Sequence, residues 1–255
     1  MALGAGCGGG GASSSAPGPT GGPPPTPGSV TSAPGAGTIT FSGYTWTVRN
    51  SVGNPGPNTF SPQNVWVDGQ GFLHLKISHA GGQWSTAEIF TTQSLGFGTY
   101  QFQIQGHPEA FDDNVVLGLF PYTTPAIGPD GTNEIDIEFA TWGGAQTQHG
   151  NWTVWPAQAG PAQNTHAFDM TPNSGLSTHR FVWTATSVNF QALAGLTDGS
   201  VGQYAQWTFA PANPSTLIPQ NALPLHINFW LFGGNAPKNG AEVEIVVTSF
   251  KFTPA

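Results

Sequence analysis

From about residue 38 onward the chain is built of short runs in which apolar residues recur with a period of two, and no helical period is sustained over any distance. Such alternation sends successive side chains to opposite faces of a strand. The runs fall at residues 38–49 (one strand or two), 64–67, 71–78, 86–91, 98–105, 114–122, 133–140, 148–155, 179–184, 187–193, 206–209, 225–231 and 242–253. Clusters of Gly, Pro, Asn and Asp separate them, which is the spacing of a two-sheet sandwich. Run 114–122 is largely apolar, as expected of a strand buried on both faces, and almost no helix is expected.

Composition agrees. The 255 residues include 36 Gly, 23 Pro, 17 Phe and 9 Trp, and only 7% are charged. That length allows one large β domain with a substantial core. Net charge is −8, with Arg49, Lys76, Arg180, Lys238 and Lys251 as the permanent cations. Five scattered cations make no basic face, so a nucleic-acid partner is not expected. A neutral polymer suits the composition better. No run of 18 apolar residues occurs, so no membrane-spanning segment is expected.

Residues 1–37 carry no charged side chain and contain twelve Gly and seven Pro, which predicts a disordered or polyproline-like tether ahead of a domain at 38–255. The only cysteine, Cys7, follows Leu3-Gly4-Ala5-Gly6, so no internal disulfide is possible. That setting is similar to the end of a bacterial lipoprotein signal peptide, and a lipid anchor at Cys7 is one expectation. An unmodified cysteine in a tail is the other. The first implies a bacterial cell-surface, periplasmic or extracellular protein, expected to be a monomer.

The most informative run is Glu134-Ile135-Asp136-Ile137-Glu138. Acidic residues number only 13. A triplet at i, i+2, i+4 therefore arises by chance with a probability of about 0.03 for the chain. As a strand it presents three carboxyls on one face, while Ile135, Ile137 and Phe139 anchor the other face in a core. An ordinary solvent-facing strand is the alternative, but three like charges repel and few cations are available to compensate. Neighbouring carboxyls raise one another's pKa, which lets one hold a proton near neutral pH while another ionises. Glycoside hydrolysis needs that division of labour. On a straight strand the Cα atoms of residues i and i+4 lie roughly 13 Å apart. A retaining pair of carboxyls stands about 5–5.5 Å apart, so the strand is expected to bend concave toward the acids.

This strand resembles the Glu-aliphatic-Asp-aliphatic-Glu signature of glycoside hydrolase family 16, especially its lichenase-like branch. The likeness extends, in order, through Phe97-Gly98-Thr99-Tyr100-Gln101-Phe102, Leu117-Gly118-Leu119-Phe120-Pro121-Tyr122, His179-Arg180-Phe181-Val182-Trp183 and Asn228-Phe229-Trp230. The resemblance implies an all-β jelly-roll sandwich of two antiparallel sheets with a concave cleft. It implies Glu134 as nucleophile, Glu138 as general acid/base and Asp136 as the group that tunes both. Trp142, Trp152, Trp155 and Trp230 become candidates to stack on sugar rings, with core packing as the alternative for each. Tyr122 and Asn228 are candidate sugar contacts; Trp46 and Trp183 look like core.

Departures from the family pattern are also legible. Phe190-Gln191-Ala192-Leu193-Ala194 stands where Trp-Tyr-Val-Asp-Gly is common, which predicts a different cleft wall. Thr248 occupies the position of a calcium-binding Asp, so no calcium site of that form is expected. The cleft is expected to lack arginine, with Arg180 structural. The seven histidines have no metal-ligand spacing and no Gly-x-Ser-x-Gly occurs, so neither a metal, a cofactor nor a serine nucleophile is expected. Asn151-Trp152-Thr153 fits a glycosylation acceptor by chance. The expected function is an endo-acting retaining β-glycanase on β-1,3/1,4-linked glucan or a related polysaccharide, with transglycosylation in the same site as a variant. A non-catalytic jelly-roll carbohydrate-binding or adhesion protein is the alternative.

Overall fold

The computed structural model describes residues 32–171 and 174–255. Eighteen strands, numbered in chain order, form two eight-stranded antiparallel sheets and one small hairpin among these residues. One sheet runs β1 (Thr38–Phe41), β2 (Tyr44–Val48), β8 (Ala87–Leu95), β17 (Leu223–Leu231), β10 (Val115–Pro121), β11 (Ile135–Phe139), β12 (Gly150–Val154), β13 (Asn164–Phe168). The other runs β16 (Gln203–Phe209), β15 (Val188–Ala194), β14 (Leu176–Trp183), β9 (Gly98–Gln105), β18 (Val243–Pro254), β6 (Leu73–Ala80), β5 (Val65–Val67), with β7 (Gln83–Ser85) beside β6. The hairpin pairs β3 (Ser51–Gly53) with β4 (Asn58–Phe60). This is the two-layer all-β sandwich that the alternation predicts and the jelly roll that the resemblance implies.

The core lies between the sheets. Trp46, Trp152, Trp183, Tyr100, Phe139 and Phe229 are among its largest fully buried side chains. Trp46 and Trp183 donate their indole N–H groups to the carbonyls of Phe41 (3.0 Å) and Pro219 (2.9 Å), so these two are core as expected. Behind β11, Phe139 meets the ring of His179 edge-on at 4.7 Å, and complete burial pushes that imidazole down to about 3.

The predicted run 38–49 is a hairpin, β1 and β2 turning through Ser42 and Gly43, both at positive φ. Three regions were not legible as strands: the β3–β4 hairpin, β7 and β13. In β13 only Phe168 is buried, because the strand lies at a sheet edge and has no alternating apolar partner to show. The expected boundary at residue 38 also shifts. Ser32 already pairs with Val67, and the Gly35 N–H donates to the Pro62 carbonyl, so residues 32–37 pack on the domain. Cys7 and residues 1–31 lie outside the described residues.

Candidate active site

β11 lies between β10 and β12, near the middle of its sheet, with β17 one strand beyond β10. Its register sets both faces. Ile135, Ile137 and Phe139 pair with Val154, Trp152 and Gly150 on β12, and all three of these β11 side chains are fully buried. Asp136 and Glu138 pair with Thr153 and Asn151 on the opposite face. The ladder continues past the strand end, where the Glu134 carbonyl accepts the Trp155 N–H at 2.9 Å. All three acids consequently line one groove of about 980 Å³.

Across the sheet from Glu138 stands Gly118, and beyond it Asn228 and then Glu88, a single rung running through β11, β10, β17 and β8. A Cβ at Gly118 would come within 2.5 Å of Asn228 Oδ1. Glycine there leaves room for the Asn228 amide. Among the described residues, Asn228 Oδ1 is buried without a partner.

The electrostatics favour retained protons. Burial, then the charges of Asp136 and Glu138 and a hydrogen bond with Asp136, hold Glu134 well above the ordinary carboxyl range. Burial, then Asp136, does the same to Glu138. Asp136 itself is pushed by burial up to about 7, against the opposing pull of hydrogen bonds from Glu134 and Trp155. The Trp155 indole N–H donates to Asp136 Oδ2 at 2.8 Å. Glu134 and Asp136 are thus a hydrogen-bonded acid pair that titrates as a unit, with Glu138 beside them raised in the same direction.

No family model and no curated protein matches the sequence. Solved structures match over nearly the whole described chain. A Bacillus licheniformis β-glucanase shares 19% identity at a TM-score of 0.61, covering 89% of this chain and 99% of its own. A Bacteroides ovatus GH16 protein of a mixed-linkage glucan locus, solved with a G4G4G3G product, shares 13% at 0.63, covering 82% and 94%. An immunostimulatory antigen and pseudo β-1,3-glucanase of Mycobacterium tuberculosis shares 20% at 0.63, covering 90% and 96%. The fold is that of the family 16 β-glucanases. Since proteins described as a glucanase and as a pseudo-glucanase both carry it, chemistry has to be argued from the groove of this chain.

Within this glucanase fold the expected site residues separate clearly. Glu134, Asp136, Glu138, Tyr122, Trp142, Trp155, Asn228 and Trp230 all line the groove. Tyr122 donates its hydroxyl to Asp130, and burial with that bond raises the phenol. Trp142 opens a short turn after β11 at φ +55, a conformation costly for a bulky side chain. Its indole donates to Asn151 Oδ1 at 3.3 Å, and its ring meets Phe232 at 5.8 Å.

Trp152 is corrected. It is fully buried, stacked on Phe168 at 4.0 Å and Phe190 at 5.5 Å between the sheets, and cannot reach a sugar. Alternation along Asn151-Trp152-Thr153-Val154 sets Trp152 with Val154 on the apolar face, a signal the sequence reading did not use. Its neighbour Asn151 is buried as well, its amide donating to the carbonyls of Ala140 and His149, which closes the glycosylation acceptor in the folded chain.

Two further expectations change. Residues 190–194 lie in β15 of the other sheet, so their departure from the glucanase pattern does not alter the cleft wall. The groove does hold an arginine. Arg49, just past β2, lines it and bonds Glu88 Oε2 at 2.6 Å, while Glu88 Oε1 takes His226 Nδ1 at 2.9 Å. Sequence reasoning missed this trio; an acid inside the apolar run 86–91 was the available signal. Arg180 is structural as expected, bonding Gln191, Gln101 and the carbonyls of Asp198 and Gly199. Thr248 donates its hydroxyl to the Gln103 carbonyl (3.2 Å) and offers no carboxylate, so the donor set does not fit a calcium ion.

Proposed function

We propose that this protein is an endo-acting retaining β-glycanase that hydrolyses β-1,3/1,4-linked glucan or a closely related neutral polysaccharide. One observation carries the reading: three carboxyls, Asp136 buried and Glu134 and Glu138 half-buried, share one face of β11 in an open groove, where raised pKa values let one keep its proton while another ionises. In this reading Glu138 protonates the glycosidic oxygen as the bond to the anomeric carbon breaks. Glu134 attacks that carbon from the other side and forms a covalent glycosyl ester. Glu138, now a carboxylate, takes a proton from water, whose oxygen displaces Glu134 and releases the sugar with its configuration retained. Asp136, held by Trp155, takes up or returns proton density as Glu134 changes charge. Roles within the trio follow the family resemblance.

The aromatic lining supports a neutral sugar chain. Trp142, Trp155 and Trp230 border the same groove as the acids and offer apolar surface to the C–H face of a pyranose. Reducing-sugar release from a panel of β-glucans, compared between the wild type and Glu134→Gln, tests the proposal. Release by the wild type and none by the variant is expected. A folded wild type that releases sugar from no glycan would overturn it, and glycan binding without turnover would favour the carbohydrate-binding alternative.

A further inference from the structure

His226 is the one groove histidine whose surroundings fix both its orientation and its proton. On a single rung of the sheet it stands between Phe120 of β10 and Phe90 of β8. Both phenyl rings stack on it, at 5.4 Å and 26° for Phe120 and at 5.2 Å and 19° for Phe90. Tyr122 closes from the side at 5.5 Å. With both faces covered, the imidazole cannot swing, and only its edge is open. That edge lies in the groove wall, where the side chain keeps 14% of its exposure.

The tautomer follows from Glu88. Its Oε2 is bound by the Arg49 guanidinium at 2.6 Å and its Oε1 meets His226 Nδ1 at 2.9 Å. A carboxylate paired with guanidinium only accepts, so Nδ1 carries the hydrogen. In the neutral ring Nε2 is then an acceptor, and among the described residues nothing bonds it. Groove-lining acceptors of this kind recognise a donor, and sugar hydroxyls are the donors a glucan offers.

We infer that His226 is a specificity-determining residue whose Nε2 accepts a hydrogen bond from one hydroxyl of a sugar ring flanking the ring that reacts. The flanking position follows from the sheet: β17 lies two strands from β11, roughly 10 Å across the groove floor. Arg49 and Glu88 are positioning residues in this arrangement, since they set the ring's proton without needing to touch the sugar. The inference rests on the glucan-cleft reading above and deepens it.

The test uses mixed-linkage gluco-oligosaccharides in which single hydroxyls are replaced by hydrogen or by fluorine, assayed on the wild type, His226→Phe and His226→Gln. Fluorine accepts weakly but cannot donate. For one hydroxyl, the wild type should lose about 2- to 12-fold in kcat/KM on the deoxy compound and as much on the fluoro compound. His226→Phe, which keeps the aromatic stack, should show that loss on the parent and none further on either analogue. His226→Gln should recover part of it, and the change should fall on KM more than on kcat. Equal losses in wild type and His226→Phe, or recovery by fluorine, would overturn the inference. If the wild type cleaves no parent oligosaccharide, the hydrolytic reading fails separately. Calorimetric binding of the same panel then decides His226: one analogue discriminated by wild type and not by His226→Phe upholds it, and no discrimination refutes it.

Discussion

Burial raises Glu134, Asp136 and Glu138 alike, the charge of Asp136 adds to it for both glutamates, and each consequence can be measured. Glu138 holds its proton well above the usual carboxyl range, so kcat/KM should persist to neutral pH and fall on the alkaline side as that proton leaves. Glu138→Gln should lower kcat by ~10²–10⁴-fold on natural glucan and flatten the alkaline limb. Trp155 works against burial by hydrogen-bonding the ionised Asp136. Trp155→Phe should accordingly raise the pKa of the shared Glu134–Asp136 proton and move the acid limb of the pH–rate profile to higher pH; an acid limb that stays in place or moves down would contradict this role. The same burial bears on stability. A carboxyl whose pKa is higher folded than unfolded lends stability that is complete below the unfolded value, 4.5 for Glu138, and is lost as pH climbs through the folded value. Glu138→Gln should therefore melt a few degrees higher than wild type at pH 8 and show no such advantage at pH 4, read by calorimetry at both pH values.

At the scale of elements, the turn after β11 shows how the groove keeps a bulky residue in a left-handed conformation. Asp113 Oδ1 accepts from the Thr141 hydroxyl at 2.7 Å, and its Oδ2 from Lys238 Nζ at 2.7 Å. Lys238 also donates to the Gly143 carbonyl, while the Asp113 carbonyl accepts the Gly143 N–H. Segments 112–114 and 232–240 thus clamp the turn that carries Trp142. Lys238→Ala should raise KM for polymeric glucan several-fold through Trp142 while leaving kcat nearly unchanged; an unchanged KM would show that the turn holds itself. Legibility divides at this level. The acidic strand was readable because one face is apolar and the other charged. Trp152 was misread although Asn151-Trp152-Thr153-Val154 alternates and sets it with Val154 on the apolar face. The Arg49–Glu88–His226 trio was missed because its members come from the end of β2, from β8 and from β17, whose adjacency no local pattern records. Trp142 was readable because it lies just past the acidic strand, and Trp155 ends the run that follows it.

The whole molecule behaves as two sheets closed on one core, with the groove as the open face of one of them. That architecture was legible from strand count and punctuation, whereas strand order was not, because β8, β17 and β10 meet through contacts far apart in the chain. Trp152 belongs to the shared core, and Trp152→Ala should cost about 3–5 kcal/mol of stability. Its melting temperature should fall sharply, while glucan affinity below that temperature stays close to wild type. A selective loss of affinity with an unchanged melting temperature would return Trp152 to the cleft. The central claim, that the β11 carboxyls perform a retaining double displacement, is tested most directly by trapping the covalent intermediate. Protein incubated with an activated 2-deoxy-2-fluoro β-gluco-oligosaccharide should gain the mass of one glycosyl group, and peptide mapping should place it on Glu134. No adduct on an enzyme that releases reducing sugar, or an adduct on any other residue, would contradict the assignment.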